Sequence, residues 1–315
     1  MGQKKWSEAA EIYKKIIESN VYIVESDFQK LFWEQSEYSK EILLASQYVE
    51  DDFYHVLPQY LYPQVNGGWH SYNPYNELVM QFECIDGKTI DESPLYDENN
   101  PYDNRDPRLL YTVMVNHKSS FQGKEYISDP FSDSPDRFGR YAVWTGYCIA
   151  KFLDGGFEGN LMNYGGNFIL IRYPEILLSY LESKLEAGDE ITQLLLNETI
   201  NKVRERTSVN MPAVTETNPS ELREIIHRER CVEFAFEGLH YYDILRWGTA
   251  SEELNRQFTG MKLTTDPENY TASAVNEKGY AICSRRIFTP GKNELWPIPL
   301  SEIQLNPNLV QNPGY

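Results

Sequence analysis

The chain has no run of about eighteen apolar residues, so nothing in it reads as a membrane-spanning helix. Its first residues, Met1-Gly2-Gln3-Lys4-Lys5-Trp6, lack the apolar stretch and small-residue cleavage site of a signal peptide. The sixth position is Trp rather than the Ser or Thr that accompanies a myristoylated Gly2. Cysteine is scarce: Cys84, Cys148, Cys231 and Cys283 are the 4 in 315 residues, and no two are spaced as CxxC. That spacing excludes a cysteine-built zinc site and favours free thiols over a disulfide framework, with Cys231 expected as a core thiol on a helix. The 5 histidines, His55, His70, His117, His227 and His240, include no HExxH pair, and His227 is expected to be a packed residue. There is no GxSxG elbow. Gly87-Lys88-Thr89 lacks the upstream glycine of a phosphate loop, where Phe82 stands instead. Positive charge is also short, with 29 Lys and Arg against 47 Asp and Glu and a net charge of −18. No basic stripe suits nucleic acid, and no polybasic patch suits an anionic membrane surface. The acidity reads as solubility.

Apolar and aromatic residues are plentiful. The hydrophobic fraction is 41%, enough for a packed body, and 315 residues make one large domain or two ordinary ones. There are 23 Tyr and 6 Trp. Their apolar faces and polar handles suit a surface that meets a partly polar ligand, but a tyrosine-rich core accounts for most of them.

Residues 4–19 place Trp6, Ala9, Ala10, Tyr13, Ile16 and Ile17 at helical spacing, and Asn20 suits a left-handed stop. The pattern resembles the second helix of a tetratricopeptide pair, which cannot bury its apolar face alone. Its partner is expected just upstream, so the chain reads as the C-terminal larger part of a longer protein. Residues 21–50 hold the cluster Phe28, Leu31, Phe32 and Trp33, then a strand or buried segment from Glu41 to Tyr48. Residues 51–76 are aromatic and loop-like, broken by Pro58, Pro63, Gly67, Gly68 and Pro74. A helix is predicted over 77–85, acidic turns over 91–108, and short strands and loops over 109–165. Pro174 fits a first helical turn, Leu177, Leu178, Leu181 and Leu185 share a face, and Gly188 ends it. Asp189 is predicted to cap the next helix, which carries Leu195, Leu196, Ile200 and Val203. Asn218-Pro219-Ser220-Glu221 starts a further helix that runs towards Gly238. Residues 249–290 read as a loop-rich excursion.

The tail is Leu295-Trp296-Pro297-Ile298-Pro299, Glu302, Asn306-Pro307-Asn308-Leu309 and Gln311-Asn312-Pro313-Gly314-Tyr315. It has too much proline for a helix or a central strand. Trp296, Ile298 and Leu300 predict an extended strap buried over the body. This tail resembles the end of the SusD/RagB family. Arg228-Glu229-Arg230, Glu233-Phe234, Glu237-Gly238, Tyr241, Asp243 and Arg246-Trp247-Gly248 resemble the family's arginine-rich helix and its ending. Ile171-Arg172-Tyr173 with Glu175, Leu177-Leu178 and Tyr180 resembles the helix before it. Asp106-Pro107-Arg108-Leu109 and Asp86-Gly87-Lys88 match two shorter signatures, all in family order.

The expected fold is mainly α, with tetratricopeptide-like helical pairs and a loop-rich subdomain containing a few short strands. Residues 1–50 form a remnant of the helical scaffold, 51–165 the aromatic ligand-binding region, 166–248 the helical hairpins, and 249–315 the excursion and strap. The resemblance implies a surface lipoprotein of the outer membrane in Bacteroidetes. Such a protein captures glycan, or sometimes peptide, and acts with a SusC-like TonB-dependent transporter. The lipid anchor that the resemblance implies is expected in a part of the protein that precedes these residues.

Glu229, Glu233 and Glu237 share a helix face beside Arg228 and Arg230. A glycosidase on a helical scaffold needs two carboxylates about 5–10 Å apart across a cleft. One helix face points all three the same way, so ion pairs that fix register, joined by Asp243 and Arg246, are the better account. No catalytic residue is assigned. Asp97, Glu98, Asn99, Asp103 and Asp106 form an oxygen-rich stretch. Such stretches can hold calcium, but Pro101 and the missing turn glycine favour a solvated acidic turn, and no cofactor or metal is assigned. The binding candidates are Trp69, His70, Tyr72 and Asn73, in the loop opened by Gly67-Gly68, with Tyr141 and Trp144 as a second group. Trp69 either folds back on the body, stacks on a sugar ring while His70 or Asn73 bonds the hydroxyls, or joins a protein interface. The spacing of Tyr141, Trp144 and Tyr147 fits either one helical side or a loop, and core burial is the favoured reading. A protein-interaction scaffold built on the helices is the remaining class, and it would show no solvent-facing Trp.

Overall fold

The computed structural model describes residues 1–315. Helix exceeds strand, strands occur only as two-stranded antiparallel pairs, and no sheet closes. No helix is long and apolar enough to cross a membrane. All four cysteines are free.

The helix Trp6–Glu18 ends before Asn20, which takes the expected left-handed φ of 53°. Its apolar face, through Tyr13, Ile16 and Ile17, packs on the helix Tyr173–Glu186. Within this chain its packing partner therefore comes from far along the sequence. Tyr173–Glu186 has Pro174 in its first turn and buries Leu177, Leu178, Leu181 and Leu185 in the largest core cluster. Gly188 ends it at φ 79°.

The next cap differs from expectation. Thr192 Oγ1 accepts from Leu195 N at 3.2 Å, while Asp189 pairs with Lys184 at 2.6 Å. A carboxylate with an ammonium so close gains more from that pair than from a distant amide. The helix then breaks at Thr199, whose hydroxyl donates back to Leu195 O at 2.6 Å, leaving Gln193–Glu198 and Ile200–Arg204 as separate pieces. Asn218 caps Pro219–Glu233 as predicted, accepting from Ser220 N at 3.0 Å.

The helix predicted over 77–85 is one turn, Asn76–Val79. The carbonyls of Val79 and Phe82 accept from the Arg105 guanidinium at 2.7 Å each, instead of from later turns of helix. The strand Ile42–Ser46 pairs antiparallel with Phe168–Arg172. The excursion at 249–290 holds a hairpin, Gln257–Lys262 against Tyr280–Arg285. Its strands lie too far apart in sequence for a tight-turn signature.

The strap expectation needs a larger correction. Trp296 is 76% exposed and Leu300 is exposed too, with Ile298 half-buried. The tail is tied to itself instead. Gln311 donates to Ile298 O and accepts from Ile298 N, both at 2.8 Å, and Asn312 donates to Trp296 O at 2.6 Å. Side-chain amides take the place of a strand ladder that the prolines forbid.

The charged residues of the family signatures meet in the interior. Arg108 donates to Asp106 at 2.7 Å, Glu229 at 2.5 Å and Glu233 at 2.9 Å. Arg172 reaches Glu233 at 2.5 Å, Glu41 at 3.0 Å and Glu237 at 2.7 Å. Arg204 joins Glu229 to Glu83, and Arg206 joins Glu233 to Glu41. Lys151 donates to Glu237 at 2.5 Å. Nearby, Arg230 and Arg246 share Asp243, and Arg246 also binds Glu182. Burial opposes ionisation of Glu233, but Arg172, Arg206 and Arg108 outweigh it and hold the carboxyl well below the usual range. His227 is packed, its ring stacked on Trp247 at 3.6 Å.

Candidate functional site

The loop that carries Trp69 is rigidly held. Trp69 N donates to Gln59 O at 2.7 Å, His70 N to Tyr62 O at 3.1 Å and Ser71 N to Tyr60 O at 2.8 Å. This pairing lays the loop against the short helix Leu57–Leu61. Gly68 permits it, because a Cβ there would sit 2.1 Å from Tyr62 O. Trp69 neither folds fully inward nor stands free. Its indole meets Tyr60 edge-to-face at 4.9 Å and stays about half exposed, and Tyr72 lies 6.0 Å from the same Tyr60. Tyr60 is the ring that the sequence reading missed as a site member. It lies nine residues from Trp69 in a different local structure, and only the loop pairing shows the link.

The second aromatic group divides. Tyr147 is buried, as favoured, and its hydroxyl donates to Asn76 at 3.1 Å. Tyr141 and Trp144 are 73% and 66% exposed, against the expected core burial. Their segment is not a helix. Tyr141 has φ 48° and Gly146 φ 78°, so the chain turns between the three rings and points them apart. Burial of Thr145 anchors the segment. Its carbonyl accepts from Met261 N at 2.7 Å, and the Cys283 thiol donates to Trp144 O at 3.2 Å. Burial, with Glu77 nearby, pushes that thiol up to about 12, so it remains protonated.

Asn73 brings the two groups together. Its side chain donates to Ala142 O at 2.9 Å and accepts from Trp144 N at 2.9 Å, so it braces one loop against the other. The amide is thus engaged with backbone instead of being free for sugar hydroxyls. His70 is a clearer correction. The residue is fully buried, with Nδ1 2.9 Å from Asp136 and Nε2 3.0 Å from Tyr147 O. Asp136 also accepts from Gln64 N at 2.7 Å and Val65 N at 2.9 Å. Burial alone disfavours the imidazolium, but the neighbouring Cys148 sulfur, Asp136 and the Tyr147 carbonyl outweigh it and hold the ring up at about 10. Two acceptors on two ring nitrogens fit a doubly protonated ring. His70 therefore supports the loop from beneath and does not touch a ligand above it.

The acidic stretch shows no convergence of oxygens. Asp97 accepts from Asn99 and Asn100, Glu98 pairs with Lys262, Asp103 with Lys118, and Asp106 with Arg108. No cluster of three or more metal-ligating side chains forms in the molecule.

Tyr60, Trp69 and Tyr72 thus lie together, and the exposed Tyr141 and Trp144 are carried on the loop that Asn73 braces against theirs. Rings of this kind can cover the apolar C–H faces of sugars and carry polar edges for hydroxyls.

Comparison with known proteins identifies the fold. A SusD-like carbohydrate binding protein from Bacteroides fragilis has the same fold, at 36% identity and a TM-score of 0.92, over 98% of this chain and 62% of the other. A second SusD-like protein from Bacteroides fragilis matches at 24% identity and a TM-score of 0.78, over 100% of this chain and 63% of the other. SusD-like protein P2 of Formosa agariphila is 30% identical over 47% of this chain and 26% of its own length. The chain thus spans less than two thirds of each of these relatives. Residues 37–315 match the family model described as the SusD family, and the chain belongs to that family.

Proposed function

We propose that the protein binds an oligosaccharide or polysaccharide nutrient without cutting it and passes it to a TonB-dependent transporter at the cell surface. The observation that carries the reading is the set of exposed rings on two loops braced together. Burying a large ring is worth on the order of 1.5–3 kcal/mol, so rings left in water on loops this well fixed point to a ligand. The carbohydrate-binding description of the relative from Bacteroides fragilis supports the choice of glycan. The transporter, the outer membrane and the lipid anchor rest on family membership alone.

The non-catalytic part rests on how the carboxylates are used. Glu229, Glu233 and Glu237 are engaged by Arg108, Arg172, Arg204, Arg206 and Lys151, and Asp136 by His70. A glycosidase acid must hold and release a proton at the scissile bond, which these groups are not placed to do.

Isothermal titration calorimetry against a panel of oligosaccharides tests the binding. The expected affinity is micromolar to millimolar, as suits two or three stacked rings. Failure to bind any glycan overturns the reading. Release of reducing ends from any bound polysaccharide overturns its non-catalytic part.

A further inference from the structure

The turn Asn76–Val79 and the hairpin Gln257–Lys262/Tyr280–Arg285 border an open cavity of about 360 Å³. Its chemistry departs from that of the molecule around it. The chain carries a net −18, yet Arg256 and Lys278 both line this cavity, and neither is among the paired cations. The amides of Asn76, Gln81, Gln257 and Asn276 line it too and add N–H donors. One carboxylate, Glu77, lines it as well; it accepts from Thr259 N at 3.0 Å and from the Thr259 hydroxyl at 2.8 Å, which turns it toward the hairpin backbone, and the two cations still outnumber it. Arg256 also lies near Glu253, but that carboxylate accepts from the Thr249 hydroxyl at 2.7 Å and faces His240 at 3.5 Å.

The cavity is tied to both ring-bearing loops through the chain. The loop bearing Trp69 and Tyr72 runs directly into the Asn76–Val79 turn, and the hairpin holds Trp144 through the Cys283 thiol. Cations also sit on the rings nearby. Arg140 stacks over Tyr141 at 5.1 Å, and Arg286 over Tyr75 at 5.4 Å and Phe258 at 4.8 Å. Unpaired guanidinium and ammonium groups beside amide donors fit an anion rich in oxygen, because a guanidinium fork matches a carboxylate or sulfate and an ammonium adds a point charge. Both cations are exposed to solvent and so are open to such a group, with Arg256 lying over the Phe258 ring at 5.5 Å.

We propose that the ligand is an acidic glycan, whose carboxylate or sulfate groups enter the Arg256–Lys278 cavity while its sugar rings lie on the exposed aromatic rings. This rests on the glycan-binding reading above.

Affinity gel electrophoresis separates the two claims. Wild type, Trp69→Ala/Trp144→Ala and Arg256→Gln/Lys278→Gln are run through gels containing polygalacturonate, carrageenan, laminarin or xylan. Circular dichroism confirms the fold of each variant. The expected result is retardation of the wild type by polygalacturonate or carrageenan, which also tells carboxylate from sulfate. The ring variant should lose it, and the charge variant should bind about tenfold or more weakly. Retardation by neutral polysaccharides alone, or retardation in acidic gels that the charge variant keeps in full, overturns the acidic-glycan inference and leaves glycan binding standing. No retardation in any gel overturns both.

Discussion

His70 sits one residue from the exposed Trp69, yet it is fully buried with its ring bonds satisfied. A folded-state value near 10, against an ordinary 6.5, means that the folded protein holds the imidazole proton more tightly than the unfolded chain. The stabilisation is complete below about pH 6.5 and is lost as pH rises through about 10. His70→Gln should therefore cost roughly 3 kcal/mol at pH 6 and progressively less towards pH 10, as read by urea unfolding across that range. A cost independent of pH would show that the pair is not ionic. Above the loop the outcome differs. Trp144→Ala, at an exposed ring, should leave the melting temperature within about a degree while weakening glycan binding by about 2 kcal/mol, by calorimetry. Trp69→Ala should weaken binding to a similar extent, with a small stability loss from its contact with Tyr60. Neither His70's burial nor Asn73's brace was legible in the sequence. Each depends on partners far along the chain, Asp136 for one and Ala142 and Trp144 for the other. A polar residue beside an exposed Trp looks like a ligand contact until those partners are in place.

Among elements, the arginine-rich helix Pro219–Glu233 depends most on distant charge. Glu233 is fully buried and meets Arg108, Arg172 and Arg206. Glu233→Gln would leave those guanidinium groups short of one negative charge in a dry interior. It should cost about 3–5 kcal/mol in denaturant unfolding, and a loss under 1 kcal/mol would refute the hub role. The tail calls for the opposite forecast. With its indole in solvent, Trp296→Ala should change unfolding by no more than about 0.5 kcal/mol, whereas Gln311→Ala removes both bonds to Ile298 and should cost more. The helices Trp6–Glu18, Tyr173–Glu186 and Pro219–Glu233 were legible because periodicity, caps and stops are local. The hairpin at 257–285 was not, since its strands pair across a long connection. Nor was the tail's exposure, because apolar residues between prolines say that burial is favourable and not where a covering surface lies.

For the molecule as a whole, two electrostatic regimes coexist. The surface carries most of a −18 excess that repels itself and is screened by salt over about 10 Å at 0.1 M. The interior pairs are shielded from bulk ions by burial. Raising sodium chloride from about 0.05 M to about 1 M should therefore raise the melting temperature, by differential scanning calorimetry. A fall would mean that the exposed ion pairs, and not the buried ones, sustain the fold.

The brace at Asn73 reaches the neighbouring loop only through the main-chain groups of Ala142 and Trp144. Main-chain groups are the same whatever residue bears them. The contact that joins the loops is therefore indifferent to which aromatic, if any, projects from position 144. Residue 144 can therefore be exchanged, and with it whatever its exposed side chain meets, while the two loops stay locked together.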